Sequence, residues 1–319
     1  MKFIVSKISL LGCCLASSMA FAGGNTLYGD FRYSLNNVDS GSVSTLSTQS
    51  NASRIGLKGG SEAMDGISVF YHLQAGASID TNANGDAITQ RFHFAGIKGE
   101  FGKVMYGRTS TPYKMAGLKI DPFYDTSAGL GAGGATYGLS GLTNGWTDNS
   151  LAYSRKINNF GINAGIYLDD AATDEHDFNI GISHSDGALS GGLQYLMIGS
   201  TGIVAKSTAD SSALRIHAKY KMSDLTLGGS VETVDPDAGA KQTYVYLAAT
   251  TQMSDKLSLS ASYGSVDGLS SLLDGDAITL GAFCKLLKKT TVYALYSMVS
   301  AGTDRDTLSF GVSHKFAIK

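Results

Sequence analysis

From about residue 26 onward, apolar and polar side chains alternate with a period of two, the signature of strands whose two faces meet different surroundings. In residues 26–36, Leu27, Phe31, Tyr33 and Leu35 share one face, while Tyr28, Asp30, Arg32 and Ser34 share the other. The split recurs in residues 66–77, where Ile67, Val69, Tyr71 and Leu73 alternate with Ser68, Phe70, His72 and Gln74. Leu214, Ile216, Ala218 and Tyr220 oppose Arg215, His217 and Lys219, three basic groups expected to meet water on a single strand face. Leu257, Leu259, Ala261 and Tyr263 oppose Ser258, Ser260 and Ser262, and several apolar faces end in tyrosine, as an aromatic girdle at lipid headgroups would.

Sixteen such segments are predicted, at about 26–36, 51–60, 66–77, 88–98, 102–109, 149–156, 160–169, 176–185, 188–198, 211–221, 224–234, 241–251, 256–266, 276–285, 290–299 and 306–316. Tight turns such as Lys221–Asp224, Gln252–Lys256 and Leu286–Lys289 alternate with longer polar loops at 37–50, 78–87, 199–210, 235–240 and 267–275. Pro112, Pro122 and Pro236 fall outside the predicted strands, as residues that cannot donate to a ladder should. The longest irregular stretch, about Ser110 to Thr147, is long enough to need a function.

After residue 22 no run approaches the roughly 18 apolar residues of a membrane helix. A chain that alternates throughout can still span a bilayer as a closed barrel, because each strand then needs only about 9 to 11 residues. The expected fold is therefore all-β, a 16-stranded antiparallel transmembrane β-barrel, with outer-membrane lipid and lipopolysaccharide as its surroundings.

Residues 1–22 stand apart. Lys2 and Lys7 precede the apolar stretch Ile8–Leu15, and Ala20-Phe21-Ala22 offers small residues where a signal peptidase reads. This predicts a cleaved leader over 1–22 and a barrel over 23–319. Losing Lys2 and Lys7 takes the formal net charge from −2 to −4, and no basic stripe marks a nucleic-acid binder. Cys13 and Cys14 would leave with the leader, so Cys284 has no internal partner for a disulfide. A lipoprotein site at Leu11-Gly12-Cys13 is the weaker reading, since the apolar stretch before it is very short.

Motifs of catalysis are missing from the sequence. Gly129, Gly131 and Gly134 have the G-x-G-x-x-G spacing without a buried strand before or a helix after it. The six histidines follow no metal-binding spacing, and no serine lies in G-x-S-x-G, so neither an enzyme nor a cofactor or metal is expected. Asp169, Asp170, Asp174, Glu175 and Asp177 crowd one loop, which reads as a solvated acidic loop rather than a divalent-ion site because their order fits no compact calcium loop.

Several stretches, in order along the chain, resemble the general porins of Gram-negative outer membranes. They are Thr26-Leu27-Tyr28-Gly29, Asn51 to Gly59, Ala95 to Gly102, Tyr106 to Lys114, Asp121-Pro122-Phe123-Tyr124-Asp125, Asp148-Asn149-Ser150 and Ser313-His314-Lys315-Phe316. The resemblance implies a homotrimer in the outer membrane that passes ions and small hydrophilic solutes. It also implies that the long loop after the fifth strand folds into the barrel, with Asp121 and Asp125 on the loop facing the wall arginines Arg54, Arg91 and Arg108. Asp30 and Arg32 are lumen-facing by alternation alone, as are Arg215, His217 and Lys219. Opposed fixed charges in a narrow aqueous passage would set up a transverse field that orients polar solutes. The chain departs from the family pattern at Trp146, where many relatives carry arginine, and at Ala317-Ile318-Lys319, which follow the usually terminal Phe316. A substrate-specific channel, a surface adhesin and a soluble β-sandwich are the competing readings.

Overall fold

The computed structural model describes residues 24–78, 88–129, 137–143, 146–169, 175–204, 209–269, 274–302 and 304–319. Its strands are β1 (Thr26–Asp39), β2 (Ser44–Ser50), β3 (Arg54–Met64), β4 (Ile67–Ala77), β5 (Ile88–Gly99), β6 (Gly102–Thr109), β7 (Thr147–Ile157), β8 (Phe160–Tyr167) and β9 (Asp177–Ser185). They continue with β10 (Leu189–Ile198), β11 (Ser211–Met222), β12 (Leu225–Pro236), β13 (Gln242–Gln252), β14 (Leu257–Asp267), β15 (Gly275–Leu287), β16 (Thr290–Ser300) and β17 (Arg305–Ile318). The strands pair antiparallel in one sheet. β17 returns to β1 through a ladder from Leu27↔Ile318 to Asp39↔Asp306, so the sheet closes on itself and has no free edge there.

The count of seventeen is a sixteen-stave barrel with one stave broken in two. β2 pairs with Tyr33–Asp39 of β1, and β3 pairs with Thr26–Asp30 of the same strand. The break falls at Ala52, whose φ is 60°, in the left-handed region. Buried Asn51 holds the kink by donating to Ser34 Oγ at 2.8 Å and Tyr293 Oη at 2.9 Å. The stretch 37–50, expected as a loop, is thus largely a hairpin arm. Alternation missed it because both of its faces are polar: Asn36 donates to Gln49 Oε1 and Ser44 to Asn37 Oδ1, side chain to side chain across the ladder. Pro236 likewise ends β12 rather than lying beyond it, opposite Ser211 at the strand terminus where a missing donor is tolerated. The loop segment 79–87 lies outside the described residues.

The outer wall carries the apolar face. Leu27 is 42% exposed, Ile216 58% and Leu259 40%, and Leu35, Leu214, Tyr220, Leu257 and Tyr263, of like parity on the same strands, are exposed with them. Such a continuous apolar surface around a sealed cylinder is what lipid requires.

The inner wall is not uniformly wet. The Ser110–Thr147 stretch, expected to be irregular, contains a helix, α1 (Pro112–Leu118), and a 3-10 turn at Gly141–Thr143. Pro112 opens α1, and the Thr111 hydroxyl caps it by accepting from Lys114 N at 3.0 Å. Tyr113 and Leu142 pack against Leu196, Ile198, Val234 and Tyr244 of the inner wall, forming a dry core inside the barrel. Tyr195-Leu196-Met197-Ile198 is apolar on both faces for this reason: lipid meets one face and the infolded loop the other.

Candidate pore constriction

The infolded loop is fastened to the wall by a buried charge network. The two-residue turn at Ser223-Asp224 sets Arg215 of β11 directly opposite Glu232 of β12. Arg215 Nη2 donates to Glu232 Oε2 at 2.6 Å, and both side chains are fully buried. Arg215 Nη1 reaches the Tyr113 carbonyl at 2.8 Å, and its guanidinium lies 4.4 Å from the Tyr113 ring centroid. Glu232 in turn accepts from Tyr113 Oη at 2.8 Å, Ser140 N at 3.1 Å and the Ser140 hydroxyl. Arg215 was expected in water and is instead dry, because the helix covers it and Glu232 supplies its counter-charge. His217 is also buried, and Lys219 donates to the Lys119 carbonyl at 3.0 Å, tying down the chain just beyond α1.

Farther along the loop, Asp121 accepts from Phe123 N and from Tyr246 Oη of β13, each at 2.8 Å. It is buried at this anchor. Phe123 packs with Tyr293 and Leu295 of β16. Just beyond these anchors the chain turns through Asp125, whose φ of 61° puts it in the left-handed region that Asp tolerates better than most residues.

Asp125 thereby reaches the wall of β1 and β3. Its Oδ2 accepts from Arg54 Nη2 at 2.5 Å and lies 3.7 Å from Arg32 Nη1. Asp30 bonds the same two arginines: Arg32 Nε and Nη2 reach its two oxygens at 2.9 Å each, and Arg54 Nη2 reaches Oδ2 at 2.9 Å. Two carboxylates and two guanidinium groups form one quartet, in which each charge has at least one hydrogen-bonded partner of opposite sign, although the buried Asp125 Oδ1 accepts no hydrogen bond among the described residues.

Arg91 belongs to a second group. A bulge in β5, opposite Leu73 to Ala75 of β4, places Arg91 and Phe92 against a single partner residue and turns both toward Trp146. The Arg91 guanidinium lies 4.1 Å from the Trp146 ring centroid and the Lys114 ammonium 4.0 Å from it, while Phe92 meets the ring edge-on at 6.3 Å. Arg91 Nε also donates to Gln74 Oε1 at 2.6 Å. Burial pushes the Lys114 ammonium down to about 7, with the Arg91 guanidinium adding to the effect and the Asp125 carboxylate opposing it. Arg108, expected with the others, pairs instead with Asp148 at 2.5 Å. Register sets Arg108 opposite His93, which opposes the outward Leu73.

Within the acidic loop, Asp177 accepts from Gly199 N at 2.9 Å and Val204 N at 2.6 Å, and Glu175 accepts from Ser200 N at 2.9 Å and from the Ser200 hydroxyl. These two carboxylates cap backbone donors. Asp170 and Asp174 lie outside the described residues, and no metal-binding cluster occurs among the described ones.

A family model described as Gram-negative porin matches residues 9–313. The chain belongs to the Gram-negative porin family. Solved structures agree on the fold of this porin. An anion-selective porin from Comamonas acidovorans is similar with a TM-score of 0.78 at 20% identity, over 92% of this chain and 100% of that one. Salmonella typhi OmpF, in complex with daunomycin, gives 0.74 at 16% identity, covering 92% and 97%. A loop-deletion mutant of OmpT, an outer membrane protein of Vibrio cholerae, gives 0.71 at 20%, covering 92% and 100%. No curated protein sequence matches the chain. As a member of this family the protein is an outer-membrane channel for solutes.

Three residues of this porin's narrow region escaped sequence reasoning. Lys114 carries no parity signal because it lies on a helix, and Trp146 read as a lost positive charge although two cations converge on it. Glu232 alternates with the outward Val231 on β12, and the register of the Ser223-Asp224 turn pairs it with Arg215.

Proposed function

We propose that this porin passes ions and small hydrophilic solutes by passive diffusion, without catalysis, and that its narrow region prefers anions. The observation that carries the preference is the charge balance beside the loop. Asp30 and Asp125 are consumed by Arg32 and Arg54, whereas Arg91 rests on the neutral partners Gln74 and Trp146 and keeps an uncancelled charge. A fixed positive charge in a passage with low-dielectric walls raises the local concentration of anions. Asp121, Asp125, Arg54 and Arg91 are read as constriction residues on this basis, with Asp121 acting by holding the loop. Arg108 has less support as one, given its partner Asp148.

Reversal potential in a potassium chloride gradient tests the preference. Wild type should favour chloride. Arg54→Ala removes a positive charge and leaves two carboxylates sharing Arg32, so it should move the potential toward cation preference; Asp125→Asn should move it the other way. Cation preference in the wild type, or indifference to both substitutions, would refute the assignment. Cleavage after Ala22 and assembly as a homotrimer complete the reading. A V. cholerae relative of like fold is described in a trimer form, and the exposed apolar outer wall offers surface for packing barrel against barrel. Mass spectrometry of the protein from membranes, folded and unfolded, checks both.

A further inference from the structure

The wall formed by β3 to β6 carries groups that simple diffusion does not use. A chain of aromatic rings descends along it from the constriction. Trp146 meets Phe92 at 6.3 Å between centroids, and Phe92 meets Phe94 at 5.7 Å. His72 lies 5.1 Å from Phe92 and 5.4 Å from Phe94, and Phe70 lies 6.3 Å from Phe94. These rings share the inner face: Phe70 and His72 alternate with exposed Val69 and Leu73, and Tyr28 of the inner face of β1 hydrogen-bonds His72. They are half-buried and offer faces or edges to the lumen.

The chain ends in a cavity of about 390 Å³ near the short-turn rim, within the roughly 300–1,000 Å³ of small-molecule sites. Lys58, Phe70, His72, Phe94, Lys98 and Lys103 line it, and no carboxylate is among its lining residues. Lys98 stands directly opposite Lys103 in the β5–β6 ladder, an arrangement that costs stability between like charges. On the other side Lys58 stands opposite His72. The Lys103 ammonium lies 5.1 Å from the Phe70 ring centroid, and the Lys58 ammonium 5.4 Å from that of Tyr28. Ammonium groups are therefore held against ring faces on both sides of an aromatic floor.

Such a surface discriminates by chemistry. A small inorganic anion would use the lysines and ignore the rings. A neutral sugar would find rings but no charged acceptor, since the lysine ammonium groups that line the cavity only donate. A planar ring bearing a carboxylate uses both features, stacking on the aromatic floor while its charge offsets the repulsion between facing lysines. We propose that this wall is an affinity track for aromatic carboxylates, which bind against Phe70, His72 and Phe94 with the carboxylate among Lys58, Lys98 and Lys103. The inference rests on the diffusion reading and adds a substrate class to it.

Block of the potassium chloride current through the full-length folded protein in planar bilayers tests the track. Three probes separate its elements: sodium benzoate has ring and charge, sodium acetate only charge, and benzyl alcohol only the ring. Benzoate should block at concentrations roughly tenfold below either of the others, the effect of one added stacking or cation–π contact. Phe94→Leu and Lys103→Gln should each raise the half-blocking concentration roughly three- to tenfold without abolishing the current. Phe70→Leu replaces Phe94→Leu if that variant yields no channels. Equal block by benzoate and acetate, equal block by benzoate and benzyl alcohol, or variants indistinguishable from wild type would each overturn the track. A protein that passes no potassium chloride current at all would sink the channel reading itself, whereas a conducting channel indifferent to benzoate sinks only the track.

Discussion

Charges that look alike in the sequence end in three different settings. Arg54 bridges Asp30 and Asp125, Arg91 leans on an indole and an amide, and Arg215 is sealed beneath a helix with Glu232. Alternation places Asp30 and Arg32 on the same inward face of β1, and both lie there in the structure. It says nothing of what each inward charge will meet, because that depends on a loop whose path no periodicity records. Lys114 has the most testable setting. With its ammonium pushed down to about 7, raising the pH from 6 to 8 removes a positive charge beside Trp146, so the preference for anions should weaken over that window. Reversal potentials measured at both pH values check this, and Lys114→Met should flatten the difference. An unchanged pH dependence in that variant would assign the titration to another group.

At the scale of elements, the period of two locates the staves well wherever one face meets lipid, and fails where that contrast is lost. β2 was missed because a polar hairpin arm has no apolar side to reveal it. The bulge in β5 was missed because it changes pairing by a single residue, yet it turns Arg91 and Phe92 to the same side and so builds the Trp146 cluster. The doubly apolar run Tyr195 to Ile198 was a legible sign that something covers the inner wall of β10. What covers it is α1, held by one buried ion pair. Removing one partner of such a pair leaves the other charge dry and uncompensated, which costs about 3–5 kcal/mol. Glu232→Gln should therefore lower the thermal unfolding temperature of the folded barrel and make the open-channel current noisier as the loop loosens. The double variant Arg215→Met with Glu232→Leu should recover part of the loss, since no lone charge stays buried, while Tyr113 and Ser140 still lose their hydrogen-bond partners. Equal stability of Glu232→Gln and wild type would show that the network does not hold the loop.

For the molecule as a whole, one sheet separates two media. The outer wall is apolar around the entire circumference, and the inner wall divides into an arc under the loop, dry and partly apolar, and an arc along β1 and β3 to β6, charged and aromatic. Closure by β1 and β17 makes this possible, because a sealed ladder leaves no backbone donor or acceptor facing lipid at the seam. The closing ladder runs on through Ala317 and Ile318, so the residues beyond Phe316 lengthen the last strand; Phe316 itself lies over Gly29, where a side chain on that residue would collide with its ring. Neighbouring positions on β11 sample both media: Ile216 faces outward, while Lys219 lies on the inner face and reaches the loop. Single-channel conductance under a charged thiol reagent compares them directly, with Ile216→Cys and Lys219→Cys each made in a Cys284→Ser background. Stepwise channels should appear in both variants, with conductance proportional to salt; the reagent should reduce the steps of the Lys219→Cys channel and leave those of Ile216→Cys unchanged. Folded protein that never conducts, or channels blocked through position 216 and indifferent at 219, would contradict a lipid-facing outer wall around a water-filled lumen.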